Sequence, residues 1–415
     1  MRKKPELLAP AGNFEKLKYA VHYGADAVYC AGKQFGLRAR ADNFDGEELK
    51  SAVEWMHERG KRIYVTINMI PHDKDLGGLP EYAAYLNEIG VDAVLVADPG
   101  IFRIIQKAVP DLAITISTQA NNTNASTANF WYDLGARKIV LARELSGEEI
   151  KNIVENVPED MEIETFVHGA MCISYSGRCL LSHYLTGRNS NQGDCSQPCR
   201  WQYHLKEATR PNEVFTIEDS DEGSFIFNSK DLCLAEKIPE MMDAGVASFK
   251  IEGRMKSPYY VATVVAVYRK IIDCAYEDPN FVVPKEWVEE LSKVSHRNYT
   301  KAFYEQKTQS QDQNYGTSSY TRHYDFVGIV LDYDDETQMA IVEQRNKIKL
   351  GDEIEIVSPK AENFYYTQEV EIMTDMEGGV LETTPHPKMK FKLKTQNKVF
   401  PMDLIRKQSD KMNRS

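Results

Sequence analysis

No run of 18 uncharged apolar residues occurs anywhere in the 415-residue chain, so a membrane-spanning helix is not expected. The basic start, Met1-Arg-Lys-Lys-Pro-Glu-Leu-Leu-Ala-Pro10, lacks the apolar stretch of a secretory signal, and a cytoplasmic location is expected. Positive charge is also short: 50 Lys+Arg stand against 62 Asp+Glu, a formal charge of -12, which disfavours coating of nucleic acid or anionic lipid through bulk charge. Several catalytic signatures are missing. There is no Gly-x-Gly-x-x-Gly dinucleotide fingerprint, no His-Glu-x-x-His zinc-protease helix and no Gly-x-Ser-x-Gly elbow near Ser174, Ser176 or Ser182. Cysteine is sparse except in one place. Five of seven (Cys172, Cys179, Cys195, Cys199, Cys233) fall within 62 residues, and an odd, clustered set reads as metal ligation better than as disulfides.

What is present begins with rhythm. Short β-branched runs alternate with amphipathic segments: residues 6–8, 27–30, 62–67, 93–96, 113–116, 138–141, 163–167 and 248–251. Gly24, Gly60, Gly90 and Gly135 follow helical patterns where a left-handed cap belongs. Eight strand–helix units with short loops predict an α/β fold, a TIM-like (β/α)8 barrel, over residues 1–305. The Cys-rich segment 172–233 interrupts it as an insertion after the seventh strand. Helices are expected over 259–276 and around Trp287 to Val294. Residues 306–325 read as a linker. From Phe326 the apolar period becomes two (Val327-Gly-Ile-Val-Leu, Met339-Ala-Ile-Val, Glu353-Ile-Glu-Ile-Val, Val370-Glu-Ile, Phe391-Lys-Leu-Lys), predicting a small C-terminal β-barrel domain over 326–407.

The cysteine spacing is Cys172-x6-Cys179-x15-Cys195-x3-Cys199-x33-Cys233. Only Cys195/Cys199 has the close spacing of a zinc knuckle. An iron–sulfur cluster is larger than one ion and tolerates irregular spacing. Zinc, a cluster, or unligated apolar cysteines all remain open at this point. In a barrel the active site gathers at the carboxyl ends of the strands, which here present Asn68, Asp98, Gln119, Arg143 with Glu144, His168, and Glu252 with Arg254. Guanidinium groups pair bidentately with carboxylates, so Arg143 and Arg254 point to a small carboxylate-bearing molecule. Glu252, Arg254 and His168 are candidate catalytic groups. The alternative is structural: Glu252/Arg254 as an ion pair closing the barrel top, His168 as a satisfied core histidine. Lys388, Lys390, Lys392 and Lys394 alternate with Met389, Phe391 and Leu393, a stripe that either grips an RNA backbone or protects a sheet edge.

Longer motifs carry a family resemblance. Glu164-Thr-Phe-Val-His-Gly-Ala-Met-Cys-Ile-Ser-Tyr-Ser-Gly-Arg-Cys-Leu-Leu-Ser182 resembles the signature of the collagenase-like peptidase family U32. So do Gly187-Arg-Asn-Ser-Asn-Gln-Gly-Asp-Cys-Ser-Gln-Pro-Cys-Arg200, Asn228-Ser-Lys-Asp-Leu-Cys233, Phe249-Lys-Ile-Glu-Gly-Arg-Met-Lys-Ser-Pro258 and the opening Leu8-Ala-Pro-Ala-Gly12. The resemblance implies oxygen-independent hydroxylation, most closely the 5-hydroxylation of tRNA wobble uridine, with a [4Fe-4S] cluster and prephenate as hydroxyl donor. By motif, Cys172, Cys179, Cys195 and Cys233 would be the cluster ligands, with Cys199 as the substitute. Asn68, Asp98, Gln119 and Arg143 would bind the small dicarboxylate donor, and the lysine stripe tRNA. A homo-oligomer or a paralogue partner is compatible with the family. Two competing readings are a peptidase, as the family label says, and a non-catalytic RNA-binding or scaffold protein.

Overall fold

The computed structural model describes residues 3–36, 42–172, 174–175, 178–201, 205–206, 214–215, 229–305 and 320–409. Most of the expected linker (306–319) and the middle of the Cys-rich insertion lie outside the described residues. The eight expected strands are present: β1 (Glu6–Pro10), β2 (Ala27–Cys30), β3 (Arg62–Ile67), β4 (Ala93–Val96), β5 (Ile114–Ile116), β6 (Lys138–Val140), β7 (Glu162–Ala170) and β8 (Ser248–Ile251). All pair in parallel in that order, and β8 pairs with both β7 and β1, so the barrel is closed. The strands are almost wholly buried because helices cover their outer faces.

Helices α1 (Phe14–His22), α2 (Gly46–His57), α3 (Leu79–Glu88), α4 (Pro99–Ala108), α5 (Ala125–Asp133) and α6 (Gly147–Glu155) supply the crossovers. Their starts are written in the sequence. Asn13, Asp45, Asp98, Asn124 and Ser146 each accept a first-turn backbone N–H, and Asp45/Glu48 and Ser146/Glu149 form reciprocal capping boxes. The four glycines expected after helices all have left-handed φ, from +62° to +108°. Helix α7 (Pro258–Glu277) buries most of its length against β1 and α1, and α8 (Lys285–Glu290) follows.

The amino-terminal end of the barrel interior is ionic. Glu164, fully buried, accepts from Lys250 Nζ at 3.0 Å and from Ser248 Oγ at 2.8 Å, with Lys138 Nζ at 3.2 Å. Lys138 also reaches Glu6 at 2.5 Å, and Glu6 accepts from Tyr64 and pairs with Arg62. Burial alone would raise the Glu164 pKa, but Lys250 and Lys138 overrule it and hold the carboxyl down to about 2. Two residues of the motifs quoted above, Glu164 and Lys250, thus serve the barrel's foundation rather than its mouth.

The insertion leaves at Ala170 and returns through a short strand, Asp231–Cys233, antiparallel to the end of β7 and extended by Tyr299–Thr300. The C-terminal unit is an antiparallel sheet of seven strands: β9 (Tyr324–Asp334), β10 (Met339–Gln344), β11 (Glu353–Val357), β12 (Tyr365–Glu369), β13 (Met373–Thr374), β14 (Lys390–Lys394) and β15 (Leu404–Gln408). Their order is β12-β11-β15-β9-β10-β14-β13. Its two end strands, β12 and β13, are not paired with each other, so the sheet is a half-barrel. Val370-Glu-Ile, expected as a strand, is the break between β12 and β13, and β12, β13 and β15 were not anticipated.

The half-barrel is welded to the barrel domain. Arg406 of β15, fully buried, makes a bidentate pair with Glu290 of α8 (2.5 and 2.9 Å) and reaches Glu355 at 2.6 Å. The Tyr23 hydroxyl of the barrel's α1–β2 turn donates toward the Val357 and Met402 carbonyls. Tyr259 stacks on Phe326 with centroids 5.6 Å apart.

Candidate functional site

A cavity of about 200 Å³ opens at the carboxyl end of the barrel, opposite the ionic foundation. Its lining combines the ends of β5, β6, β7 and β8 (Gln119, Arg143, Ala170, Glu252) with the insertion. Four thiols face it: Cys172, Cys179, Cys195 and Cys199. The insertion is held in shape by local polar bonds. Ser182 Oγ accepts from Ser196 N at 3.0 Å, Arg188 pairs with Asp194 at 2.9 Å, and the Gln197 N–H donates to Cys195 Sγ at 3.3 Å. Burial pushes the Cys199 thiol up; Arg200 opposes this, and Cys172, Cys195 and Cys179 add to it. Among the described residues, no three of His, Cys, Asp or Glu converge closely enough to hold a single metal ion.

Cys233 is not in this set. Its strand pairs it opposite His168, and its buried sulfur lies 3.9 Å from the Tyr268 hydroxyl. Burial pushes its thiol up to about 11. Cys233, expected as the fourth ligand, thus lies outside the cavity lining, and Cys199, expected as its substitute, lies within it.

The strand-end residues divide similarly. Gln119, Arg143 and Glu252 line the cavity. Arg143 Nη1 donates to the Ala170 carbonyl at 2.7 Å and its guanidinium lies 5.1 Å from the Phe166 ring centre, which fixes the group at the rim. Glu252 Oε2 accepts from the Tyr29 hydroxyl at 3.3 Å. Gly169 makes room for that segment, since a Cβ there would lie 2.6 Å from the Glu252 carbonyl oxygen, and its φ of +111° suits glycine alone. Buried side-chain oxygens without a protein partner gather at the same end of the barrel: Asn68 Oδ1, Gln119 Oε1, Asn121 Oδ1 and Glu144 Oε2. Unsatisfied groups at one place are suited to a polar ligand.

His168, Asp98 and Arg254 lie elsewhere. His168 sits in a cage of Tyr260, Tyr268 and Tyr299, with Nδ1 at 3.3 Å from the Tyr268 hydroxyl and Nε2 at 3.5 Å from that of Tyr299. Burial, with Lys256 and His296 nearby, lowers its pKa to about 3, so it is a neutral core residue. Asp98 caps α4, accepting from Ile101 N at 2.9 Å. Arg254 is buried with Nη1 3.5 Å from Thr66 Oγ1 and is not among the residues that line the cavity. Asn68 donates to Ser117 Oγ at 3.2 Å, near the mouth but outside the lining.

The lysine stripe forms as expected on one face of β14, with Phe391 and Leu393 buried on the other; Lys388 stands in the preceding turn at φ +60°. On one side β14 pairs along its length with β10; on the other the two-residue β13 pairs only with Leu393 and Lys392. Lys394 donates to the Thr337 carbonyl, and Lys390 stands opposite Glu343. All four lie away from the cavity lining.

Sequence reasoning passed over three lining residues: Arg200, Lys256 and Tyr320. The first two lie inside the quoted motifs, directly after Cys199 and two residues after Arg254. Tyr320 falls in the expected linker. Around the mouth, exposed apolar side chains crowd the insertion: Tyr175, Leu180, Tyr184 (79% exposed), Leu185 and Trp201, with Met255 beside them.

The model of peptidase family U32 matches residues 12–314, and that of the family's C-terminal domain matches residues 322–406. The tRNA hydroxylation protein P1 of Bacillus subtilis is 47% identical over 406 residues, covering 98% of this chain and 95% of that protein. The tRNA hydroxylation protein P of Escherichia coli is 36% identical over 422 residues, 92% of each. A 23S rRNA 5-hydroxycytidine synthase of Escherichia coli is 39% identical over 273 residues, 66% of this chain and 40% of that protein.

Proposed function

This chain belongs to peptidase family U32, and from that premise we propose that it is an RNA-modifying enzyme that hydroxylates wobble uridine of tRNA at carbon 5. The observation that carries the reading is full-length similarity to tRNA hydroxylation proteins, joined to a cavity that sets four thiols beside Arg143 and Glu252. No helix among the described residues is long and apolar enough to cross a membrane. A serine-type peptidase reading meets a gap at this cavity. Of the described residues lining the cavity, Ser190 is the one serine, and no histidine stands with it.

The cofactor of this reading is a [4Fe-4S] cluster held by Cys172, Cys179, Cys195 and Cys199. The donor set fits: four thiols spread around one cavity suit a group larger than a single ion, and the Gln197 N–H to Cys195 sulfur is the kind of hydrogen bond that tunes such centres. When bound, the cluster supplies electron-transfer and Lewis-acid capacity. The chain's own groups do the rest. Arg143, pinned by the Ala170 carbonyl, offers positive charge to a carboxylate-bearing hydroxyl donor such as prephenate. Glu252, oriented by Tyr29, is placed to accept or return a proton inside the cavity. Gln119 offers an amide for hydrogen bonding. The exposed aromatics of the insertion form a rim on which bases of a single-stranded loop can stack, and the β14 lysines add phosphate contacts.

Nucleoside mass analysis of tRNA from a deletion strain, in a background without paralogues, tests the function. Loss of 5-hydroxyuridine derivatives is expected, restored by the parent gene and not by Glu252→Gln. Unchanged derivatives would sink the reading.

A further inference from the structure

One wall of the cavity holds more positive charge than the described residues around it neutralise. The Lys256 ammonium lies 4.0 Å from the centre of the Tyr320 ring, and the Arg297 guanidinium 4.4 Å from it. Arg200 Nη1 donates to the Tyr320 hydroxyl at 3.5 Å. Three cations therefore surround one phenol. Among the described residues the carboxylate in this group is Asp231, and it is already engaged: Arg297 takes it through both its backbone N–H (3.1 Å) and its guanidinium (3.4 Å). Neither Arg200 nor Lys256 forms an ion pair with a carboxylate among the described residues; Lys256 instead donates to the Ser295 carbonyl at 2.9 Å. Arg297 is 2% exposed, and its buried Nε has no partner.

We propose that Arg200, Lys256 and Tyr320, backed by Arg297, form a carboxylate-binding subsite for a small organic acid. The inference rests on the hydroxylation reading and names where that site would hold its small co-substrate. Half-buried cations without counter-ions carry a desolvation cost that a bound anion relieves. The electrostatics agree with the geometry. Burial pushes the Tyr320 phenol up, yet Lys256, Arg297 and Arg200 together pull it below the ordinary tyrosine value. Burial lowers Lys256 too, and Arg297 and Arg200 lower it further. An anion arriving at this wall would reverse both tendencies. The subsite is distinct from Arg143, which lines the same cavity from the end of β6, so an acid with two carboxylates has a cation available at each.

Isothermal titration of the anaerobically purified full-length protein tests this, with prephenate, malonate and inorganic phosphate as separate probes. Lys256→Met is expected to weaken prephenate and malonate at least tenfold, with iron content and melting temperature unchanged. Lys256→Arg should retain most of the affinity. Parent-like carboxylate binding by Lys256→Met overturns the proposal, as does a parent that binds neither acid. Loss of tRNA and phosphate binding with carboxylate binding intact also overturns it, and assigns the wall to RNA instead. If tRNA hydroxylation proves absent while the variant still loses carboxylate binding, the subsite stands and the hydroxylation reading falls.

Discussion

Replacing Glu164 by Gln tests whether the barrel's ionic foundation is a source of stability. The substitution keeps shape and removes one charge, leaving Lys138 and Lys250 buried with Glu6 as their remaining carboxylate within the interior. A fall in the Glu164 pKa from 4.5 to about 2 corresponds to about 3 kcal/mol at neutral pH. Breaking a buried ion pair from one side costs a similar amount, about 3–5 kcal/mol. The sign with pH follows from the depressed value. The unfolded carboxylate takes up its proton first, so the contribution is complete above pH 4.5 and is lost as pH falls toward 2. Urea titrations of parent and Glu164→Gln, followed by tryptophan fluorescence, should differ by about 3 kcal/mol at pH 7 and by roughly half that at pH 3. Equal stability at pH 7 would refute the argument. So would a deficit that stays the same at pH 3, because a packing defect does not titrate.

Four further outcomes are expected. Cys199→Ser should strip most iron from anaerobically prepared protein, whereas Cys233→Ala should keep it and lose about 1–2 kcal/mol of stability from its buried position; the opposite pattern in an iron assay would restore Cys233 as ligand. Because the His168 pKa is lowered to about 3, the parent should lose stability as pH falls from 6.5 toward 3, and His168→Gln should lack that component in acid melts. Arg406→Met exposes Glu290 and Glu355 to each other without their shared guanidinium, although Lys293 stays within 3.3 Å of both. About 3 kcal/mol should be lost, and calorimetry should show the half-barrel melting ahead of the barrel. Lys390→Ala with Lys392→Ala should reduce the salt dependence of tRNA binding by about two phosphate contacts while leaving tRNA-free stability unchanged; an unaltered slope removes the stripe from the RNA interface.

Much of the fold was legible because its signals are local. Eight apolar runs, seven of them followed by a helix of the barrel's outer layer, leave little choice but parallel strands. The half-barrel was harder. Strand β15 carries Arg406 and Lys407, and charged residues at buried positions disguise a strand until the partner carboxylates are known. At the site, the strand ends named Gln119, Arg143 and Glu252, all three of which line the cavity. They misled at His168, because the β7–β8 register shifts between Phe166 and His168 and breaks the strand's alternation, so a residue that shares parity with the inward Glu164 packs instead against Tyr260 and Tyr268 of α7. Asp98 precedes Pro99, a helix-start signature that favoured capping over chemistry. The choice between Cys199 and Cys233 is tertiary. Spacing along the chain does not say which of the two lines the cavity, since the segment that carries Cys233 returns antiparallel to β7.

Tyr320 stands a few residues before the half-barrel begins, and the bridge between His296 and Thr321 fastens that stretch to the barrel domain. A chain cut at residue 305 would retain every barrel strand and all seven cysteines, yet its cavity would be missing a side. The half-barrel is thus more than an accessory for gripping large substrates. The segment leading into it lines the cavity, so shuffling this module between related proteins would exchange part of the cavity wall along with it.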